Sequence, residues 1–447
     1  MKRETPFYKS VLVIAVPVTL QSLLQSSFSV VDQIMIGQLG STSIAAIGLA
    51  GKFSFICSTL LSAIATAAGI MIAQYIGQKN NREMSRSFWV NLSLAAVLAG
   101  LFTVLCIFFS EQIMGMYTKD VVVRQTAALY LRILAVSYLP MAASLILPVL
   151  LRCMGEAMIP LYAAIGSAIL NTVLNYLLIF GKYGFPEMEV KGAAIATVIS
   201  QVFGFIMILG LFFQYYNRKK MKLEMIFSLD RPTAIQYVGI LLPILICEFF
   251  WSLGENVYAS IYGHLGTLQC AAMALKSPLQ MLMIGSLNGL SQAAGVLIGK
   301  TLGEEDYERA YCQSKKLMQY GFVCSFILSA ILLLAGRYYV QIYQVEPEVR
   351  TVAVHILIAF ALISPVKVQN MILGGGIIRS GGKTKYIMWV DLIGTWCFGV
   401  PLGLLAAFVW KLSIPYVYFV LSLEECVRYA ITLVLFKKRS WMQILSK

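Results

Sequence analysis

Asp32 sits inside an apolar run, in the segment Val30-Val31-Asp32-Gln33-Ile34-Met35. Counted from residue 11, where a helix is expected to begin, it lies roughly 32 Å along the axis at ~1.5 Å per residue. That depth is the outer half of a bilayer. A charge at the bilayer centre costs at least ~2.5–3.5 kcal/mol, so an ionisable group retained within a span is a candidate for function. A carboxylate in this position can bind a proton or a sodium ion; the competing role is to cap a neighbouring helix. Asn171 and Asn175 stand four apart, so both amides leave one helix face, with Tyr176 beside them. They can serve an ion site or simply bond between helices. Glu248 and Glu255, seven apart, share a face of a later apolar run and are candidates to line a cavity there, as is Asp391. Asp391 also follows Lys383 and Lys385 closely enough for a local ion pair. Glu424 and Glu425 stand one turn from Arg428 and read as a structural salt bridge. Lys52, Lys276 and Lys367 lie at depths where they can neutralise these acids.

The elements that position these groups follow from composition. Of 447 residues, 59% are hydrophobic and only 13% charged, beyond what a soluble fold can cover. Twelve apolar runs, the first at 11–37 and the last at 414–436, approach or exceed the ~20 residues a membrane crossing needs. Residues 17 to 77 realign without a gap onto 243 to 303, at a shift of 226, placing Pro17 on Pro243 and Gly69 on Gly295. The chain is a tandem duplication. The spacing predicts an N-lobe over 1–214, a cytoplasmic linker over 215–234 and a C-lobe over 235–447. Six spans per lobe give both lobes one orientation, so the expected architecture is an all-α integral membrane protein. Its 12 transmembrane helices form two six-helix lobes related by a pseudo-two-fold axis along the membrane normal.

Lys and Arg accumulate in alternate loops, 23 on one side and 7 on the other, which predicts both termini in the cytoplasm. The same asymmetry accounts for a formal charge of +14 through contact with anionic lipid, with no nucleic-acid partner. Nine cysteines without CxxC spacing read as small hydrophobes, not a zinc site or disulfide framework. The Gly375–Thr384 segment imitates a phosphate-binding loop, but Ile377 occupies the first required glycine and an apolar helix precedes it. No enzyme motif is present, so catalytic residues and cofactors are not expected.

The run Val31–Gly40 followed by Ala45-Ala46 resembles the first-helix signature of the bacterial multidrug and toxic compound extrusion (MATE) transporters. Its duplicate, Tyr262–Thr267 with Ala271-Ala272, resembles it too. Leu151–Gly155 and Ile378–Gly382 are similar to the family's paired Arg-x-x-Gly turns, Gly192–Thr197 to its sixth-helix opening, and Val400-Pro401-Leu402 to its eleventh-helix motif. The resemblance spans essentially the whole chain. It implies a cation-coupled antiporter that exports organic, often cationic, drugs by alternating access, working as a monomer in a prokaryotic plasma membrane. It further implies a coupling site, for H+ or Na+, at Asp32, Asn171, Asn175 and Thr197. In several branches the second amide position is Asp. Asn175 removes that charge here, which weakens a two-carboxylate sodium site and strengthens a protonatable Asp32. Thr197 can instead bond its own backbone.

A drug pocket needs adaptable apolar walls, and Met and aromatic side chains supply dispersion and cation-π contact. Phe53, Met141, Trp251, Tyr258, Met281 and Met283 are the candidates for substrate contact, each also explicable as helix packing. Pro17 and Pro243 are candidate hinges at equivalent places in the two repeats. The alternative reading is a lipid or lipid-linked oligosaccharide flippase of the same superfold, whose cleft would be richer in cationic groups. A non-transporting scaffold would need neither the repeat nor the buried acids.

Overall fold

The computed structural model describes residues 6–219, 223–228, 230–343 and 346–445. Lys220 and Lys222 of the expected linker lie outside the described residues. Helices account for nearly all of the rest. They are α1 (Phe7–Gly37), α2 (Ser41–Gly77), α3 (Asn81–Gly115), α4 (Val121–Cys153), α5 (Met158–Phe180) and α6 (Glu189–Lys219). The second repeat supplies α7 (Arg231–Leu265), α8 (Thr267–Gly303), α9 (Tyr307–Gln341), α10 (Pro347–Ile378) and α11 (Thr384–Val409). Among the described residues these eleven are long and apolar enough to cross a membrane. The twelfth expected span is divided into Ile414–Ser422 and Glu424–Lys437, together α12, which meet at Leu423. Glu424, Glu425 and Arg428 lower the apolarity of its second half. No strand occurs among the described residues.

Apolar side chains point outward along these helices, as at Val97 (71% exposed), Phe108 (69%) and Leu334 (76%). In water such surface would drive association, whereas acyl chains solvate it at no cost. A helix satisfies the backbone polar groups of its interior by itself, as a bilayer demands.

Packing separates the chain into two units. The N-terminal unit holds Leu20–Ile72 and Asn80–Leu229. In it α5 and α6 run closely paired, with bare Gly192 against the Leu178 backbone. The C-terminal unit holds α1 up to Thr19, the end of α2 at Ala73–Lys79, and everything described from Asp230 on. Both α1 and α2 therefore contribute to each unit, whereas the duplication places them wholly in the first repeat. α1 passes through buried Pro17, two residues before the division, and α7 through buried Pro243.

Within the C-terminal unit the ends of α2 and α8 cross with reciprocal contacts. A Cβ on Gly77 would strike the Lys300 carbonyl, and one on Gly303 would strike the Gln74 carbonyl. Both pairs are related by the 226-residue shift, so the duplication is visible in the packing of these ends. The Arg-x-x-Gly turns behave alike as well, ending at Gly155 (φ +88°) and Gly382 (φ +73°), where a side chain would be strained. The chain then returns to the α2 end. Trp441 is fully buried and stacks on Phe436, while Gln74 donates to the Ser380 carbonyl (2.6 Å) and accepts from the Leu445 amide (2.8 Å).

Candidate functional site

In the N-terminal unit a polar chain crosses α1, α5 and α6. Asn175 Nδ2 donates to Asp32 Oδ1 at 2.5 Å and to Asn171 Oδ1 at 3.2 Å. Asn171 Nδ2 donates in turn to Ser200 Oγ at 3.2 Å. The four-residue spacing of the two amides turns both to one face of α5, and Ser200 faces them from α6. Ser200 Oγ donates to the Thr197 carbonyl (2.9 Å), while Thr197 Oγ1 bonds back to Ala193 O (2.9 Å). Thr197 is thus tied to its own helix and also meets the buried Tyr130 hydroxyl of α4. Asn175 is 1% exposed, yet its Oδ1 has no hydrogen-bond partner. The half-buried Asp32 carboxylate, tied to Asn175 of this amide chain, is an acceptor that can take a proton or a cation. Their chain neighbours Val31 and Tyr176 line a cavity of about 630 Å³ with Met35, Phe180, Lys182 and Glu187. Phe53 packs away from it against Phe102, with ring centroids 5.8 Å apart, and Met141 is half-buried on α4.

The C-terminal unit carries a second, more highly charged cavity of about 450 Å³. Glu248, Glu255, Asp391, Glu424 and Glu425 line it together with Lys367, Arg379 and Arg428, an excess of two acids. Arg379 lies 3.8 Å from Glu248 and 3.9 Å from Asp391. Arg428 lies 3.7 Å from Asp391 and 3.4 Å from Glu424, and Lys367 lies 3.6 Å from Glu425. Tyr258 donates to Glu424 (2.5 Å), Asn370 to Glu425 (2.8 Å), Cys247 to Asp391 (2.8 Å) and Arg428 to Thr395. The buried Glu424, Glu425 and Arg428 are thereby paired, which their removal from water requires, while the exposed Glu255 contributes to the acid excess.

The local sequence makes room for this network. A widened helical stretch of α11, Ile393–Gly399, begins and ends near bare glycines. A Cβ at Gly394 would lie 2.5 Å from Arg428 Nε, and one at Gly399 would collide with Tyr258 and Glu424. A second widened stretch, Met371–Ile378, brings Met371, Gly374 and Gly375 to the cavity wall. Such π-helical turns recur at functional sites because they displace side chains from the regular helical register.

Glu248, Glu255 and Asp391 come together on this wall, with Trp251 (42% exposed) between the two glutamates on α7. Asp391 is bridged by Arg379 and Arg428, while Lys383 lies over the Tyr386 ring instead. Glu424 and Arg428 form the expected one-turn ion pair, but in the same cavity. On α8, Gln280 and Ile284 face the cavity, so intervening Met281 is turned outward (60% exposed) and Met283 is buried in the core (7%). Lys276 is buried over the Tyr418 ring, 4.2 Å from its centroid. Arg379 and Asn370 were not singled out from sequence as site residues. The only signal for Arg379 was its place in the paired turns, where its counterpart Arg152 donates to the Pro148 carbonyl at 3.2 Å.

A repeated, all-helical, lipid-facing chain with acids held inside its spans defines a multi-pass membrane transporter. The chain belongs to the MatE family: the family model matches residues 17–177 and again 243–405, two segments whose starts differ by the same 226 residues as the duplication. The probable multidrug resistance protein NorM of Agrobacterium fabrum (strain C58 / ATCC 33970) is 28% identical over 418 residues, covering 91% of this chain and 87% of that protein. The multidrug resistance protein NorM of Burkholderia vietnamiensis is 25% identical, over 88% and 86% of the two chains. The fold is shared with the crystal structure of a MATE in complex with MaL6, at a TM-score of 0.88, 17% identity and coverage of 97% and 96%.

Proposed function

We propose that the protein exports organic, often cationic, compounds across a prokaryotic plasma membrane in exchange for H+ or Na+, by alternating access. The observation that carries this reading is the Asp32–Asn175–Asn171 chain, with its unfilled Asn175 Oδ1 (2.5 and 3.2 Å links). An ionised Asp32 accepts the Asn175 amide; a proton or sodium ion on the carboxylate changes that bond and the charge of the site. Each cation state then favours a different conformation, and substrate need only prefer the other one for the two fluxes to be coupled. Relatives named as multidrug resistance proteins support small organic substrates. The acid excess of the C-terminal cavity also suits a cationic substrate better than an anionic lipid headgroup.

Expression in an efflux-deficient bacterium tests this directly. The wild-type chain is expected to lower accumulation of a fluorescent organic cation, and Asp32→Asn to abolish that effect at equal membrane abundance. Unchanged efflux by Asp32→Asn would remove Asp32 from coupling.

A further inference from the structure

On the lipid-facing side of α7 and α11 a third cavity opens, an apolar groove of about 500 Å³. Its wall on α7 is the stripe Ile235, Val238 and Leu242, spaced so that all leave one helix face, and α11 adds Met388. These α7 side chains are 65%, 56% and 50% exposed, and a Cβ on Gly239 between them would meet nothing within 4 Å. Two cations, Arg231 and Lys385, line the same groove, and no acid is among its described lining residues. An apolar trough lined by two basic groups and no acid matches a phospholipid bearing net negative charge: a phosphate against the cations and an acyl chain along the stripe.

We infer that this groove is a binding site for one anionic phospholipid of the adjoining leaflet, held by Arg231 and Lys385. The site is separate from the charged cavity and does not depend on the transport reading. Its specificity resides in charge, since a zwitterionic lipid offers the same acyl chains without the net negative headgroup. At about 1 kcal/mol per basic residue, two cations give roughly thirtyfold preference.

The test uses the purified full chain, stripped of lipid and exposed to mixed micelles of phosphatidylglycerol and phosphatidylcholine with identical acyl chains. Retained lipid is counted by native mass spectrometry. One phosphatidylglycerol per chain is expected, at about thirtyfold preference. Arg231→Gln with Lys385→Gln is expected to bring the two lipids to parity. Val238→Trp, which fills the trough and keeps both cations, is expected to lower retention of both. Equal retention of the two lipids by the wild-type chain overturns the assignment. So does an undiminished phosphatidylglycerol preference in the double variant, or a second copy of the chain held in place of lipid.

Discussion

Between Asp32 and Asn175 the hydrogen bond of 2.5 Å joins the acid of the N-terminal polar chain to its amides. In the proposed mechanism residue 175 is the position that bears on the coupling ion: with Asn there, a single carboxylate faces the amide pair. Asn175→Asp would restore a second carboxylate four residues from Asn171, and efflux is expected to become more dependent on sodium; an unchanged ion dependence, read by replacing sodium with choline, would contradict this. At the other site, Arg428 serves Asp391 and Glu424 at once, at 3.7 and 3.4 Å. Arg428→Met should destabilise the protein by about 3–5 kcal/mol because it strands buried acids. Adding Asp391→Asn should recover part of that loss. Thermal unfolding in detergent measures both, and an additive double variant would show that the groups do not act as a network.

Among the elements, the reciprocal contact of α2 and α8 depends on bare backbone at Gly77 and Gly303. Gly303→Val would push a branched side chain into the Gln74 carbonyl and is expected to cost about 1–3 kcal/mol in unfolding stability. The same change at Gly48, where a Cβ would meet nothing within 4 Å, is the control. The gapless duplication carries Gly77 onto Gly303, so their equivalence was legible in the sequence, but not that the two helix ends meet. The return of Trp441 and Leu445 onto Gln74 was not legible, for a short tail of mixed apolar and polar residues has no periodicity that names its partner. Nor did spacing announce the widened turns in α10 and α11, since the register there is set by the side chains that α11 must admit.

At the scale of the molecule, the spans and the repeat could be read directly, because a bilayer dictates their length and apolarity. Asp32, Asn171 and Asn175 could be named for the same reason: polar groups are rare inside spans. The charged cavity was legible only in part. Glu424 and Arg428 fall one turn apart on α12, so their pairing satisfied a local rule and concealed the link to Asp391, Arg379 and Glu248 on other helices. Such links arise from helix packing, which no spacing encodes. The loop asymmetry of 23 against 7 basic residues predicts cytoplasmic termini. A green fluorescent protein fused after Lys447 should therefore fluoresce, and an alkaline phosphatase fusion there should be inactive; the opposite pair of results would invert the topology.

The most direct measurement reconstitutes the purified chain in liposomes and follows a fluorescent organic cation while H+ or Na+ gradients are imposed one at a time. Wild-type protein should move the compound against its gradient when one of the two is present and stop when that one is collapsed, and Asp32→Asn should not respond to either. Equal uphill movement by wild type and Asp32→Asn, or movement indifferent to both gradients, would contradict cation-coupled export through Asp32.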